Sequence, residues 1–201
     1  MLDIFTYDFM VRAFVAGLLV ALVIPVLGAF MVARRYSLIA ESLAHVSLAG
    51  VGAGLLLGVA PIAAAIPVTA GGALLLEWLR QRRRISGETS LAIVMSAGLA
   101  LAVVLATLSP GRTDFTSYLF GSIVTTSWSD VLTLLVAAVI ILVVLAVNYR
   151  ALLHIAFDED GARVAGYRVG LLNYTLAALA AVMVVLSLRI VGGLLISALL
   201  V

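Results

Sequence analysis

SLAHVSLAGVGAGLLLGVAPIAAAIPVTAGGALLL, from Ser42 to Leu76, is thirty-five consecutive residues without Asp, Glu, Lys or Arg. As a single helix it would be roughly 50 Å long, well beyond the ~30 Å hydrocarbon core of a bilayer. Gly58 and Pro61 break it into two spans, about Tyr36 to Leu57 and Pro61 to Leu79. Comparable stretches occur on both sides. Ala13–Ala33 precedes it, with Pro25 as an expected kink, and Thr89–Leu108, Val131–Tyr149 and Val169–Leu188 follow. Ile190–Val201 is too short to cross. The chain therefore reads as all-α, a polytopic transmembrane bundle of six to seven spans that is C-terminally truncated or ends in a partial helix.

Composition supports a membrane environment. Hydrophobic residues make up 65% of the chain and charged residues 11%, against about 25% charged in soluble domains. A water-facing surface cannot be covered with that polar inventory. The spans use nearly all 201 residues, so the whole chain, 1–201, reads as one membrane domain. The absence of cysteine excludes disulfides and thiolate metal sites. The first eight residues contain two acids and no base, so the first apolar stretch is read as a retained span rather than a secretory signal.

Nine arginines (34, 35, 80, 82, 83, 84, 150, 163 and 168) fall on one side of the span pattern and three (12, 112 and 189) on the other. The Arg-rich side is cytoplasmic by the positive-inside rule. The N-terminus is then outside. Asp114–Asp130, with its aromatic residues among Ser, Thr and Gly, is an interfacial helix or re-entrant loop on the outside, and Asp158–Arg168 is a short surface helix inside.

Against this apolar background Glu41 and His45 stand out. Four residues apart, they project from one face of a helix, with His45 at about the membrane midplane when counted from Arg35 and Glu41 one turn nearer the cytoplasm. Ionisable groups at such depth are costly and mark function by default. A carboxylate and an imidazole are also a ligand pair for a divalent first-row metal. The structural alternative is a polar pair in which Glu41 bonds to Arg34 or Arg35. Two ligands are few, and a twofold-related copy would bring four. Gly50, Gly52 and Gly54 follow, suited to close helix packing. A second constellation is Asp160, Ala162 and Gly166 within the cytoplasmic segment 157–168, with acids at a helix N-terminus and small residues suited to a docked partner. Glu77 reads as a helix-end ion pair, His154 as solvated, and Trp78 and Trp128 as interface anchors. No phosphate-binding loop is possible without Lys, and no hydrolase motif is present.

The segments Arg34–His45, Ser117–Gly121, Phe157–Gly166, Leu171–Tyr174 and Ser187–Val201, in this order, resemble the membrane permease subunits of bacterial ABC importers for manganese, zinc and related divalent metals. The likeness runs over essentially the whole chain. It implies a protein of the bacterial cytoplasmic (inner) membrane that moves manganese, zinc or iron by alternating access. Such a permease does no covalent chemistry and holds no permanent cofactor. The resemblance implies four partners: a cytoplasmic ATPase, an extracytoplasmic metal-binding protein, a second permease copy (identical or related) and membrane lipid. It implies no nucleic acid. The family's metal-path acid, often Asp, is Glu41 here, with His45 as the second ligand, and 157–168 is the coupling helix. Related permeases continue beyond residue 201. Two other classes fit the residues alone: a proton-coupled secondary metal transporter, and a non-transporting membrane scaffold.

Overall fold

A computed structural model of the chain describes residues 7–34, 38–81, 86–109, 117–122, 126–188 and 190–192. Eight helices organise them: α1 (Asp8–Ala33), α2 (Ile39–Leu57), α3 (Pro61–Gln81), α4 (Gly87–Leu108), α5 (Trp128–Val147), α6 (Tyr149–Phe157), α7 (Glu159–Val164) and α8 (Val169–Leu188). A further helical turn occupies 117–120, and the described residues contain no strand. Six helices (α1 to α5 and α8) are long and apolar enough to cross a membrane. Residues 193–201 of the expected seventh segment, and 114–116 and 123–125 of the 114–130 segment, lie outside the described residues. Within the latter, Trp128–Asp130 belong to α5, where Ser127 and Asp130 form a reciprocal capping box.

The division of the long apolar stretch falls at the expected residues. Gly58 ends α2 at φ +67, a left-handed conformation that costs glycine little, and Pro61 opens α3. Pro25 and Pro67 both lie inside their helices. Side-chain distribution is that of a protein solvated by lipid. Leu101, Val103 and Val104 on α4 and Leu132, Val136, Val139, Ile140 and Val143 on α5 are exposed, an outer surface too apolar for water.

The interior belongs to α2, the most enclosed of the six spans, with α8 next. α2 packs between α3 and α4, α3 also packs on α8, and α1 packs on α5. Glycine makes the first of these packings close. A Cβ at Gly50 would lie 2.6 Å from the Ala65 Cα of α3, and one at Gly54 would lie 2.8 Å from the Pro61 Cα. On the α4 side a Cβ at Gly52 would lie 2.9 Å from the Leu105 Cβ, and one at Gly98 would lie 2.9 Å from the backbone nitrogen of Val46. Such approach is closer than side chains allow, and it maximises dispersion contact where lipid supplies no hydrophobic drive between helices. Hydrogen bonds reinforce the α2–α4 contact: the Ser42 hydroxyl donates to the Leu91 carbonyl at 3.3 Å and the Ser109 hydroxyl to that of Gly52 at 3.2 Å.

Candidate metal path and cytoplasmic coupling site

From Ile39 to Gly54 every residue of α2 is buried except Glu41, His45 and Ala53. The two polar side chains are thus the openings in an otherwise enclosed helix. Glu41 sits in its first turn, where a carboxylate complements the helix dipole. No hydrogen bond or ion pair among the described residues engages it. Arg34, one of its expected structural partners, turns elsewhere: its Nη2 lies 3.9 Å from Oε2 of Glu159. His45 carries a buried Nδ1 without a hydrogen-bond partner. Buried polar atoms are normally satisfied, and one that is not calls for a reason. The open imidazole nitrogen and the Glu41 carboxylate, which has no partner among the described residues, are one helical turn apart on α2.

His45 is shallower than the count from Arg35 suggests. Because α2 begins at Ile39, His45 stands six residues in, ~9 Å along a helix of ~28 Å. It lies in the cytoplasmic-side third of the helix, given the orientation expected from the arginines, rather than at the middle. Among the described residues no three His, Asp or Glu side chains converge.

The 157–168 segment is divided by its own fold. Asp158 caps α7, its Oδ1 accepting from the Gly161 N–H at 2.9 Å. Ala162 is fully buried and packs with Ile155 and Val169. It faces inward, fastening α7 to α6 and α8 rather than presenting a small outer surface. Asp160 is exposed, and so is Gly166, whose φ of +87 closes the turn after α7. Around them Phe157 and Val164 are almost fully exposed, at 85% and 90%. His154 is exposed as well, and its ring lies 5.8 Å from that of Tyr167.

A third cluster emerges that the linear sequence hides. Glu77, near the end of α3, is only 1% exposed. It accepts a hydrogen bond from Nε2 of Gln81 at 3.1 Å, and its Oε2 lies 3.8 Å from Nη1 of Arg80. Asn173 of α8, itself buried, also bonds to it. Arg34, which follows α1, is buried beside it. Burial lowers the pKa of Arg34 from its ordinary value, and the charges of Glu77 and Glu159 oppose that shift. The Glu159 carboxylate is shared, Oε2 facing Arg34 and Oε1 accepting from Arg163 at 2.6 Å. Glu77 and Asn173, Arg80 and Gln81 line one wall of a cavity of ≈ 240 Å³, and the α7 side chains face them across it. The charge of Glu77 inside an apolar span was the available signal. The helix-end ion pair read from the sequence is present with Arg80, but local spacing could not show Asn173 of α8 or Arg34 after α1.

Six apolar spans around a glycine-packed central helix, with a carboxylate and an imidazole one turn apart on it and a short capped helix between the last two spans, are the architecture of a multi-pass membrane protein. The chain belongs to the ABC 3 transport family, whose profile matches residues 6–201. It is 37% identical over 193 residues to a Treponema pallidum protein named "Probable metal transport system membrane protein", covering 96% of this chain and 73% of that one. It is 30% identical over 195 residues to the manganese transport system membrane protein MntC of Listeria monocytogenes (97% and 70% covered). It is 29% identical over 196 residues to the high-affinity zinc uptake system membrane protein ZnuB of Haemophilus influenzae (97% and 75% covered). Among solved structures it superposes on PsaBC from Streptococcus pneumoniae in complex with Fab with a TM-score of 0.85 and 27% identity, covering 99% of this chain and 72% of that one.

Proposed function

We propose that this chain is the permease subunit of an ATP-driven importer of manganese or zinc, and that Glu41 and His45 are transient ligands on the metal's path. The observation that carries the reading is the state of those two side chains: the polar openings in a buried helix, with Nδ1 of His45 unsatisfied. The names of the relatives speak of manganese and zinc; the iron included in the sequence reading finds no support in them. A second copy related by a twofold axis would supply two more ligands and complete a four-ligand site. Binding there must be weak enough for release. Alternating access would follow from a cytoplasmic ATPase docked at α7, through exposed Val164, Asp160 and Gly166, with an extracytoplasmic metal-binding protein delivering the ion. On this reading residues 1–201 act as one permease domain, 157–168 is its coupling helix, and the N-terminus faces outward from the cytoplasmic membrane.

The test is ATP dependence. The permease and its ATPase, copurified and reconstituted in lipid vesicles, hydrolyse ATP in a manner stimulated by the metal-loaded binding protein. Metal accumulation driven by a proton gradient without ATP would return the chain to the secondary-transporter reading. Orientation is separable: with no native cysteine, Glu88→Cys and Ser129→Cys label from opposite sides, Glu88→Cys from the cytoplasm.

A further inference from the structure

We infer that Arg34 is a positioning residue that links α7 to the α2–α3–α4 packing unit, with Glu159 as its movable anchor and Glu77 as its fixed one. The inference rests on the proposed docking of an ATPase at α7. Displacement of a six-residue helix must reach α2 if it is to open a path at Glu41 and His45. The apolar attachment of α7, through Ala162, Ile155 and Val169, leads to α6 and α8. Toward α3 it meets the ≈ 240 Å³ cavity, which leaves room for movement and offers charged side chains in place of packed ones.

Arg34 closes that gap. Its side chain is 4% exposed and that of Glu159 is 41% exposed. The two ends of the link therefore differ in stiffness. At the inner end Arg34 and Glu77 are both buried and attract each other in a medium that solvates charge poorly, so separating them is costly. The outer end is a half-exposed contact at 3.9 Å, weak enough to be made and broken as α7 shifts. Glu159 also has a second partner ready in Arg163 at 2.6 Å. A carboxylate exchanging between Arg34 and Arg163 is a two-state element, the kind of part through which displacement at one site biases another. α3 carries the fixed anchor, and α3 is the helix against which Gly50 and Gly54 of α2 lie in backbone contact.

The test uses the complete transporter, permease with ATPase, in lipid vesicles supplied with the metal-loaded binding protein. The quantity read is metal ions moved per ATP hydrolysed, beside the amount of ATPase that copurifies. Glu159→Gln removes the charge facing Arg34 and is expected to lower that ratio roughly tenfold with the ATPase still bound. Arg163→Gln removes the competing partner and leaves the link to Arg34 intact, so its ratio stays at the wild-type value. A purely structural role for Glu159 would lower yield and thermal stability and leave the ratio alone. An unchanged ratio in Glu159→Gln, an equal fall in both variants, or loss of the ATPase from Glu159→Gln overturns the link. The wild-type complex separates the two readings. If it shows no metal-stimulated hydrolysis the docking proposal fails first, whereas normal stimulation with an insensitive Glu159→Gln condemns the link alone.

Discussion

The two polar clusters of this bundle are both enclosed by apolar helices, and they are built to opposite rules. Around Glu77 each charge has a counterpart: Gln81, Arg80 and Asn173 for the carboxylate, Glu77 and Glu159 for Arg34. At Glu41 and His45 the groups share a helix face, yet the carboxylate has no partner among the described residues and the imidazole nitrogen is open. The charge-matched buried network holds parts in register, although Oδ1 of Asn173 within it makes no hydrogen bond; on the proposed reading the Glu41–His45 pair is completed by groups from outside the single chain. The cost of leaving polar groups unpaired in the membrane is tolerable where a passing cation or a second subunit completes the set.

Substitutions can break that contrast in order of expected size. The largest effect belongs to His45→Ala, which removes a ligand. Metal transport should fall by more than the ~10–100-fold that follows loss of the supporting partners of a metal ligand, with assembly and thermal stability preserved. Glu77→Ala should act first on stability. It leaves Arg34 and Asn173 buried without their acceptor and should destabilise the protein by about 3–5 kcal/mol, seen as a lower unfolding temperature in detergent. A Glu77→Ala protein as stable as wild type would erase the distinction between the clusters. Next comes Gly50→Ala, whose new methyl group meets the Ala65 backbone of α3. Overpacking of this kind costs about 1–3 kcal/mol, while Gly17→Ala, with nothing within 4 Å of the new Cβ, should cost far less. The smallest is Ser109→Ala. It removes one interhelical hydrogen bond, worth ~0.6 kcal/mol on average in a membrane, and should shift the unfolding temperature barely at all.

The fold could be read from the chain because its signals are long-wavelength. Charge-free runs near the length of a span, interrupted at Gly58 and Pro61, leave few ways to arrange Ser42–Leu76. The Glu41–His45 pair was legible because both groups lie on one helix and fixed periodicity places them together. What escaped reading depends on other parts of the chain. Ala162 suited a docking surface by composition, but a six-residue helix is too short for periodicity to say which side faces in. Its inward orientation is set by Ile155 and Val169. Gly166 cannot be used to probe docking, because φ is +87 there and any side chain would strain the backbone as well as fill the surface. Val164→Asp probes the same surface without that defect. Glu77 read only as a helix-end ion pair because its more distant partners, Arg34 and Asn173, come from other parts of the chain. His45 stands a third of the way along α2, because the helix begins at Ile39, three residues after the start expected at Tyr36.

The most direct measurement is uptake of radioactive manganese or zinc into vesicles holding the complete transporter at matched permease levels. Wild type is compared with His45→Ala, Glu41→Gln and Glu41→Asp. The account predicts that His45→Ala and Glu41→Gln lose uptake, and that Glu41→Asp, which keeps the carboxylate, retains more of it than Glu41→Gln. Wild-type uptake by His45→Ala would contradict it and reduce Glu41 and His45 to a structural polar pair.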